Sequence, residues 1–273
     1  MTQTLQDFAY HAYSLAQKAG EKIMKYYSQN ESLLTEYKLD RSPLTEADKA
    51  SHEILHEGLA NFALGSGGPV PVLSEEGRQI PFVERQGWDR YWCVDPLDGT
   101  KEFLIRNDEF TVNIALIEQK KPIVGVVYVP AKNQGYLAWQ GGGAYFRDSK
   151  GDQQKLNTCA PPARPLRVLV SRHYGIETLQ PWLPLLGEMT LVYQGSALKF
   201  CALAQGEADI FLRLSPTSEW DNAAGHCILE EAGGRVFSLD GESLVYNRSG
   251  TLVQNKFIAV GDKLSDWSKY ISG

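Results

Sequence analysis

Cysteine is scarce in this sequence, with four residues among 273. No two of them form a Cys-x-x-Cys pair, and this spacing argues against both a zinc site and a disulfide framework. We expect the four thiols to be small, buried, apolar side chains. They are Cys93, Cys159, Cys201 and Cys227.

The start of the chain lacks the features of a targeting segment. Charged residues interrupt the apolar positions between 1 and 30, which argues against a signal-peptide core and against a membrane span there. The formal net charge of −6 provides no basic field for a polymeric nucleic acid. The sequence therefore predicts a cytoplasmic protein with no integral membrane segment and no nucleic-acid partner.

Histidine is also sparse, and its spacing does not favour a transition-metal site. Of the five histidines, only His52 and His56 stand four positions apart, and no third ligand lies near them in the sequence. We interpret this pair as part of a helix face. The remaining histidines are His11, His173 and His226.

Length and composition are those of a globular protein that can bury a large core. A chain of this size buries roughly 75% of the surface that its unfolded form exposes, and 43% hydrophobic with 22% charged residues is ordinary. The pattern changes at the proline-rich stretch 161–165. We therefore predict two halves, 1–160 with helices over a mostly antiparallel sheet, and 161–273 with a layered α/β arrangement.

Periodicity predicts the elements of both halves. Apolar residues at three- and four-residue steps predict a helix over 5–27, and Thr45 with Asp48 marks the start of a second helix that should end near the glycines at 65–68. Short apolar runs predict strands at 70–73, 91–94, 111–117, 123–129, 136–139, 144–146, 168–171, 191–193 and 210–212. Helices are predicted at 196–204 and 219–232.

The most informative segment is an apolar strand that leads directly into acidic residues and a glycine. Because proline cannot donate to a sheet ladder, we expect the strand to stop at Pro96, so that Asp95 and Asp98 leave it together with the Leu97 carbonyl between them. Such an oxygen set suits Mg²⁺ better than zinc. Taken alone, the segment also fits a solvated turn in which an aspartate caps a helix.

Two further acidic sites lie on either side of this segment. Glu75 and Glu76 follow another apolar run and precede a glycine, and Glu75 is the favoured ligand, although alternation along a strand does not settle which of the two faces a metal. Asp221 lies at the start of a predicted helix, where it would also serve as an N-terminal cap. Small residues after it, Ala223, Ala224 and Gly225, allow another element to approach closely.

In order and composition, these segments resemble the inositol monophosphatase-like superfamily. The resemblance covers nearly the whole chain and rests on Glu75-Glu76, on Asp95-Pro96-Leu97-Asp98-Gly99-Thr100 and on Trp220-Asp221-Asn222-Ala223-Ala224-Gly225. Within the superfamily, Lys101-Glu102-Phe103 after Gly-Thr looks like the CysQ-type 3'(2'),5'-bisphosphate nucleotidases. The segments 195–201 and 216–221 resemble that branch as well.

The resemblance implies a fold, a reaction and a cofactor. The fold would be a layered αβαβα sandwich of the sugar-phosphatase type. The reaction would be the hydrolysis of 3'-phosphoadenosine 5'-phosphate to AMP and phosphate in sulfur assimilation, by a lithium-sensitive enzyme with two or three Mg²⁺ ions. The alternatives that stay open are an inositol or sugar monophosphatase and a non-catalytic sensor that binds nucleotide.

The resemblance also assigns roles to residues. The implied metal ligands are Glu75, Asp95, the Leu97 carbonyl, Asp98 and Asp221. Asp48 and Thr100, with Glu75 close by, would orient and deprotonate the attacking water, and the Gly99 and Thr100 amides would face the phosphate. Glu75, Leu97, Asp98, Gly99, Thr100 and Asp221 would also contact the substrate.

Three further residues are assigned to the substrate. Ser196 and Lys199 lie in the segment 195–201, and Lys199 is the candidate for the second phosphate, together with Arg213. A lysine on a helix is more often solvated, and Arg213 would equally suit a sheet edge. A homodimer and a peripheral association with the cytoplasmic face of the inner membrane both stay open, although packing against the core is the favoured use of the apolar face of the first helix.

Overall fold

The computed structural model describes residues 4–29, 35–37, 43–62, 69–172 and 176–267. Seven α-helices lie within these ranges, and two further short segments, Pro130–Lys132 and Ile176–Trp182, are 3₁₀ helices. The helices are α1 (Leu5–Tyr27), α2 (Glu46–Ala60), α3 (Phe82–Arg85), α4 (Thr100–Ile105), α5 (Leu183–Leu186), α6 (Leu198–Ala204) and α7 (Glu219–Glu231).

The first large sheet has seven strands in sequence order, β3 to β9. The pair β3–β4 is parallel and all the others are antiparallel, which fits the predicted, mostly antiparallel sheet. The strands are β3 (Val72–Ser74), β4 (Arg90–Asp98), β5 (Thr111–Glu118), β6 (Lys121–Val129), β7 (Gln134–Trp139), β8 (Gly143–Arg147) and β9 (Gln153–Lys155).

The second large sheet has five strands in the order β11-β10-β12-β16-β14. Strand β10 pairs in parallel with β11 and β12, and β16 runs antiparallel to both of its neighbours. These strands are β10 (Leu166–Ser171), β11 (Met189–Gln194), β12 (Ile210–Arg213), β14 (Arg235–Ser238) and β16 (Phe257–Val260). Two small sheets pair β1 (Thr35–Tyr37) with β2 (Pro43–Thr45), and β13 (Thr217–Ser218) with β15 (Val253–Gln254).

Helices and sheets stack in five layers. Helices α1 and α2 cover one face of the seven-stranded sheet, α7 with α6 fills the space between the two sheets, and the 3₁₀ segment with α5 covers the outer face of the five-stranded sheet. This is the αβαβα order that was expected. The boundary between the two predicted halves near 160 stays a prediction.

The seven-stranded sheet is apolar on both faces because both are covered. Successive side chains of a strand point to opposite faces, and in β4 the residues Trp92 and Val94 pack under α1 and α2, whereas Tyr91 and Cys93 pack on the α7 side. Asp95 lies two residues after Cys93 and so shares the face of Tyr91 and Cys93. The alternation therefore directs its carboxylate toward the face that α7 covers.

Close packing of α7 on this sheet depends on a residue without a side chain. A Cβ added at Gly125 in β6 would lie 2.4 Å from the carbonyl oxygen of Ala224 and 2.8 Å from the Cβ of Cys227. Distances below about 3 Å are not tolerated at fixed backbone positions. The small residues at the start of α7 therefore do allow the close approach predicted from the sequence.

The first helix follows its predicted pattern. Thr4 and Asp7 form a capping box, and the apolar positions Phe8, Ala12 and Leu15 are buried against the sheet and α2. Full burial of a side chain as large as that of Phe8 or Leu15 contributes about 1.5–3 kcal/mol. The apolar face of α1 therefore packs within the core.

Several predicted boundaries differ from the structure. Helix α2 ends at Ala60, and the glycines at 65–68, where its end was predicted, lie outside the described residues, as does His173. Ser196 precedes α6, which begins at Leu198, because its φ of 41° is not helical. The four cysteines are free thiols, and three are buried while Cys159 is partly exposed.

Candidate active site

The prediction that strand β4 stops at Pro96 is wrong, since the strand continues to Asp98 through a bulge. Asp95 pairs with Asn113 and Asp98 with Thr111, so β4 uses one more residue than β5 over this stretch. The bulge accommodates a residue that has no N–H to donate, and the Pro96 carbonyl accepts a 2.7 Å hydrogen bond from Ser51 Oγ. Asp95 and Asp98 still emerge together.

Parallel pairing of β3 with β4 brings the second acidic segment to the same place. Ser74 lies opposite Val94, and the Glu75 amide donates to the Val94 carbonyl at 3.1 Å. Glu75 therefore lies beside Asp95. Glu76 follows it, but it is the Glu75 carboxylate that faces the other acids.

Asp221 reaches this point from the opposite direction, at the N-terminus of α7. Its carboxylate accepts hydrogen bonds from Thr217 Oγ1 at 2.5 Å and from the Ser218 amide at 3.0 Å, so it does cap the helix. The cap does not use all of its acceptor capacity, because a carboxylate has about four lone-pair sites. Capping and ligand binding are therefore compatible at this residue.

Three carboxylates converge as a result. Within the described part of the chain, Glu75, Asp95 and Asp221 are the one group of three potential ligands that each place one oxygen atom within 4.8 Å of those of the other two. Oxygen donors without histidine or cysteine suit a hard cation such as Mg²⁺ or Ca²⁺. The chemistry of the donor set thus fits a divalent cation.

The acids perturb one another strongly. Burial raises the pKa of Asp95 well above its usual value, and the neighbouring Glu75, Asp98 and Asp221 raise it further. Burial, followed by the charge of Asp221, raises the pKa of Asp98 to about 7. A bound cation would offset this repulsion, so the cluster of carboxylates favours the binding of a positively charged ion.

Asp48 and Thr100 form a pair next to these acids. Thr100 Oγ1 lies 3.3 Å from Asp48 Oδ1, while Asp48 Oδ2 accepts from the Thr45 amide at 2.8 Å and from Thr45 Oγ1 at 2.6 Å. Thr45 and Asp48 form the predicted capping box of α2. Burial, the largest cause, raises the pKa of Asp48, and the charge of Glu75 adds to the effect.

The turn after β4 presents Gly99 and Thr100 at the start of α4. Gly99 has a φ of 87°, in the left-handed region that glycine adopts without strain. The Leu97 carbonyl lies 3.4 Å from Thr100 Oγ1, and the Leu97 amide donates to Asp95 Oδ1 at 3.0 Å. These contacts fix the loop that carries the two aspartates.

A cleft of about 220 Å³ opens beside the acids. It is lined by both carboxylates and cations, and it brings together residues from the two halves of the chain. Its lining includes Asp98, Gly99, Thr100, Glu102, Ser196, Lys199, Phe211, Arg213 and Asp221.

Lys199 and Arg213 do not occupy the solvated positions that are usual for their types. Lys199 is 6% exposed, its ammonium group donates to the Ser196 carbonyl at 2.6 Å, and burial is the main cause that lowers its pKa to about 8. Arg213 ends β12, which is a central strand of the five-stranded sheet, so it is not a sheet-edge charge. Both side chains line the cleft.

Some residues at the site were not predicted from the sequence. Asn113 donates to Asp98 Oδ2 at 3.2 Å, Glu102 is buried in the cleft wall, and Ser51 holds the bulge. An asparagine inside the apolar strand 111–117 was the available signal for Asn113.

His52 and His56 lie on one face of a helix, α2, as predicted. His52 contacts Ser74 Oγ at 2.9 Å, and the centroid of its ring lies 5.5 Å from that of the His56 ring.

Comparison with known proteins places these features in one family. Residues 4–266 match the model of the inositol monophosphatase family. A Salmonella typhimurium protein named 3'(2'),5'-bisphosphate nucleotidase CysQ is 44% identical over 232 residues, which is 85% of this chain and 91% of that protein. A Haemophilus influenzae protein of the same name is 35% identical over 254 residues, 93% and 92% of the two chains.

A solved structure is similar over almost the full length. The crystal structure of CysQ from Bacteroides thetaiotaomicron, described as a bacterial member of the inositol monophosphatase family, superposes with a TM-score of 0.80 at 37% identity. The match covers 94% of this chain and 98% of that one. No helix within the described ranges is long and apolar enough to cross a membrane.

Proposed function

The chain belongs to the inositol monophosphatase family, and on that premise we propose that it is a magnesium-dependent 3'(2'),5'-bisphosphate nucleotidase. Its substrate would be 3'-phosphoadenosine 5'-phosphate and its products AMP and phosphate. The Salmonella typhimurium and Haemophilus influenzae relatives carry this activity in their names. A role in sulfur assimilation goes with that substrate.

The composition of the cleft carries the proposal. Carboxylates that fit divalent cations and the two cations Lys199 and Arg213 line one cleft. A substrate with two phosphates would place one at the metal site and the other near the cations, where charge-assisted hydrogen bonds are strongest. An inositol monophosphate would leave the buried charge of Lys199 without a phosphate partner.

The metal ligands in this proposal are Glu75, Asp95, Asp98, Asp221 and the carbonyl oxygen of Leu97. When bound, two or three Mg²⁺ ions would neutralise the phosphoryl oxygens and lower the pKa of the attacking water. Phosphate monoesters hydrolyse so slowly without a catalyst that the barrier must fall by on the order of 20 kcal/mol.

Thr100 and Asp48, next to the carboxylate cluster, accept and relay the proton of the attacking water. Thr100 Oγ1 accepts that proton and passes its own to Asp48 Oδ1, which lies 3.3 Å away. The raised pKa of Asp48 makes it a better proton acceptor than an ordinary aspartate. The water oxygen forms the new bond to phosphorus, the bond from phosphorus to the 3' oxygen breaks, and the 3' oxygen takes a proton from solvent to leave as the hydroxyl group of AMP.

The rest of the cleft orients the substrate. The Gly99 and Thr100 amides lie at the turn that would receive the scissile phosphate, and Ser196, Lys199 and Arg213 would contact the second phosphate. Buried groups that are held in place by other contacts need no reorganisation during the reaction. The homodimer, the cytoplasmic location and the lithium sensitivity stay predictions.

Phosphate release from adenosine 3',5'-bisphosphate and from inositol 1-phosphate, measured side by side with Mg²⁺, tests the proposal. We expect kcat/KM for the bisphosphate to exceed that for inositol 1-phosphate by about two orders of magnitude, the scale of losing one charge-assisted contact. A preference for inositol 1-phosphate would assign the protein to the monophosphatase branch instead.

A further inference from the structure

Glu109, in the loop between α4 and β5, contacts the turn at Gly195 and Ser196 beside the cleft. Glu109 is 13% exposed, and its carboxylate accepts from Arg172 Nε at 2.8 Å, from Arg172 Nη2 at 2.5 Å and from the Gly195 amide at 2.8 Å. Bidentate arginine–carboxylate pairs of this kind fix the relative orientation of the two side chains. Glu109 thus joins the ends of β10 and β11 to the seven-stranded sheet.

The turn that Glu109 holds is strained and closely packed. Ser196 has a φ of 41°, which is unusual for a residue with a side chain, and its hydroxyl donates to the Glu109 carbonyl at 2.8 Å. A Cβ added at Gly195 would lie 2.9 Å from the Glu102 side chain and 3.1 Å from Glu109 Cβ. Such a conformation persists only when its surroundings fix it.

The same turn determines the position of the buried ammonium group. The Ser196 carbonyl, which accepts the 2.6 Å hydrogen bond from Lys199 Nζ, moves with the backbone that Glu109 fixes. The other side of the ammonium group faces the Phe211 ring, 5.5 Å from its centroid. A continuous series of contacts therefore runs from Arg172 through Glu109 and Ser196 to Lys199.

We propose that Glu109, paired with Arg172, is a positioning residue that sets the specificity for a second phosphate, because it fixes the Gly195–Ser196 turn and thereby Lys199. This inference rests on the proposed function, which places the second phosphate at Lys199. Glu109 does not line the cleft, so it acts through the turn and needs no contact with the substrate.

The inference is tested with two substrates that differ in one phosphate. Adenosine 3',5'-bisphosphate and adenosine 3'-monophosphate share the scissile group, and only the first has the 5'-phosphate. For Glu109→Gln we expect KM for the bisphosphate to rise about five- to tenfold, the effect of weakening one charge-assisted hydrogen bond. The KM for the monophosphate and kcat for both should stay within about twofold of the wild-type values.

A matched control removes an ion pair of the same kind far from the cleft. Arg90 and Glu118 pair at the ends of β4 and β5 that are remote from Asp98 and Thr111. Glu118→Gln should leave both KM values unchanged. If Glu109→Gln unfolds the protein, Arg172→Lys provides the second variant, and it should give the same substrate-selective rise in KM.

A double variant shows whether Glu109 acts through Lys199. Lys199→Met alone should raise KM for the bisphosphate, and Glu109→Gln should add little to it, because the two residues belong to one series of contacts. Additive effects, or an equal rise in KM for both substrates, would overturn the inference. If the wild-type protein releases no phosphate from the bisphosphate, the proposed function fails before any variant is compared, and the specificity role falls with it.

Discussion

The hydroxyl group of Ser51 on α2 donates a 2.7 Å hydrogen bond to the carbonyl oxygen of Pro96, in the centre of the bulge between Asp95 and Asp98. Both residues are buried, and Pro96 has no register partner on β5 because it lies in the bulge. Three positions earlier on the same helix, Asp48 faces Thr100. Helix α2 therefore aligns Asp48, the proposed proton acceptor, with the loop that carries the acids.

Ser51→Ala should destabilise the protein and slow catalysis. The substitution leaves a buried carbonyl without a donor, which costs about 1–3 kcal/mol of unfolding free energy, and it releases the loop that holds Asp95 and Asp98. Urea unfolding and kcat together measure the effect. Ser28→Ala is the control, because that hydroxyl also donates to a backbone carbonyl but is exposed at the end of α1. Equal losses from the two variants would contradict this role of Ser51.

Gly125→Ala should lower stability through the packing of α7 on the seven-stranded sheet. The added methyl group would overlap the Ala224 carbonyl, and overpacking of this kind costs about 1–3 kcal/mol. Because α7 also carries Asp221, activity should fall as well. Gly87→Ala is the control, since its Cβ would meet no atom within 4 Å. A Gly125→Ala protein with wild-type stability and activity would rule out this packing.

Asp209 should make stability pH-dependent in acid. Its carboxylate is fully buried and pairs with Arg167, and hydrogen bonds from Arg167 hold its pKa below the usual 3.8 although burial opposes them. A carboxyl group with a depressed folded-state pKa contributes stability that is complete above its unfolded pKa and is lost as the pH falls through its folded pKa.

The difference in unfolding free energy between wild type and Asp209→Asn should therefore be large at pH 7 and should shrink below pH about 4. Urea unfolding across that range measures it. Glu118→Gln, which removes a half-exposed pair, should cost no more than about 1 kcal/mol at any pH. If the difference in unfolding free energy between wild type and Asp209→Asn grew as the pH fell, the folded-state pKa of Asp209 would not be depressed.

Asp95→Asn should raise the melting temperature of the metal-free protein and abolish phosphatase activity. At a pH at which Asp95 is ionised, the buried acids repel one another in the absence of a cation, so removing one charge stabilises the fold. Addition of Mg²⁺ should then raise the melting temperature of the wild type, because the ion binds the native state, but not that of the variant. Asp89→Asn, at an exposed position, should change neither value. If metal-free Asp95→Asn melted at a lower temperature than the metal-free wild type, the buried carboxylates would not destabilise the fold by repelling one another.

Much of the fold could be predicted from local patterns. Apolar residues at three- and four-residue steps located α1, and short apolar runs located β4 to β8 and β10 to β12. The short strands β14 and β16 and the helix α4 were not predicted. Four-residue strands carry little periodic signal, and of β12, β14 and β16 only β12 was located, from its apolar run. Helix α4 follows Gly99, whose left-handed conformation sequence patterns associate with turns.

The acids were found for a different reason than the residues that support them. Carboxylates placed directly after apolar runs or at the start of a predicted helix are conspicuous, and this placement pointed to Glu75, Asp95, Asp98 and Asp221. The resemblance to a family gave Asp48 its expected role. The contacts of Ser51, Asn113 and Glu109 depend on side chains that meet across 15 to 87 sequence positions. Local patterns contain no information on such pairs, so only the folded structure reveals them.

Metal-dependent hydrolysis is tested most directly by phosphate release from adenosine 3',5'-bisphosphate as Mg²⁺ is removed with a chelator and then restored, for wild type and Asp98→Asn. We expect wild-type release that stops with the chelator and returns with Mg²⁺, and none above background from Asp98→Asn at any Mg²⁺ concentration. Tight binding of the nucleotide without release by the wild type, or release that the chelator does not affect, would contradict a metal-dependent nucleotidase.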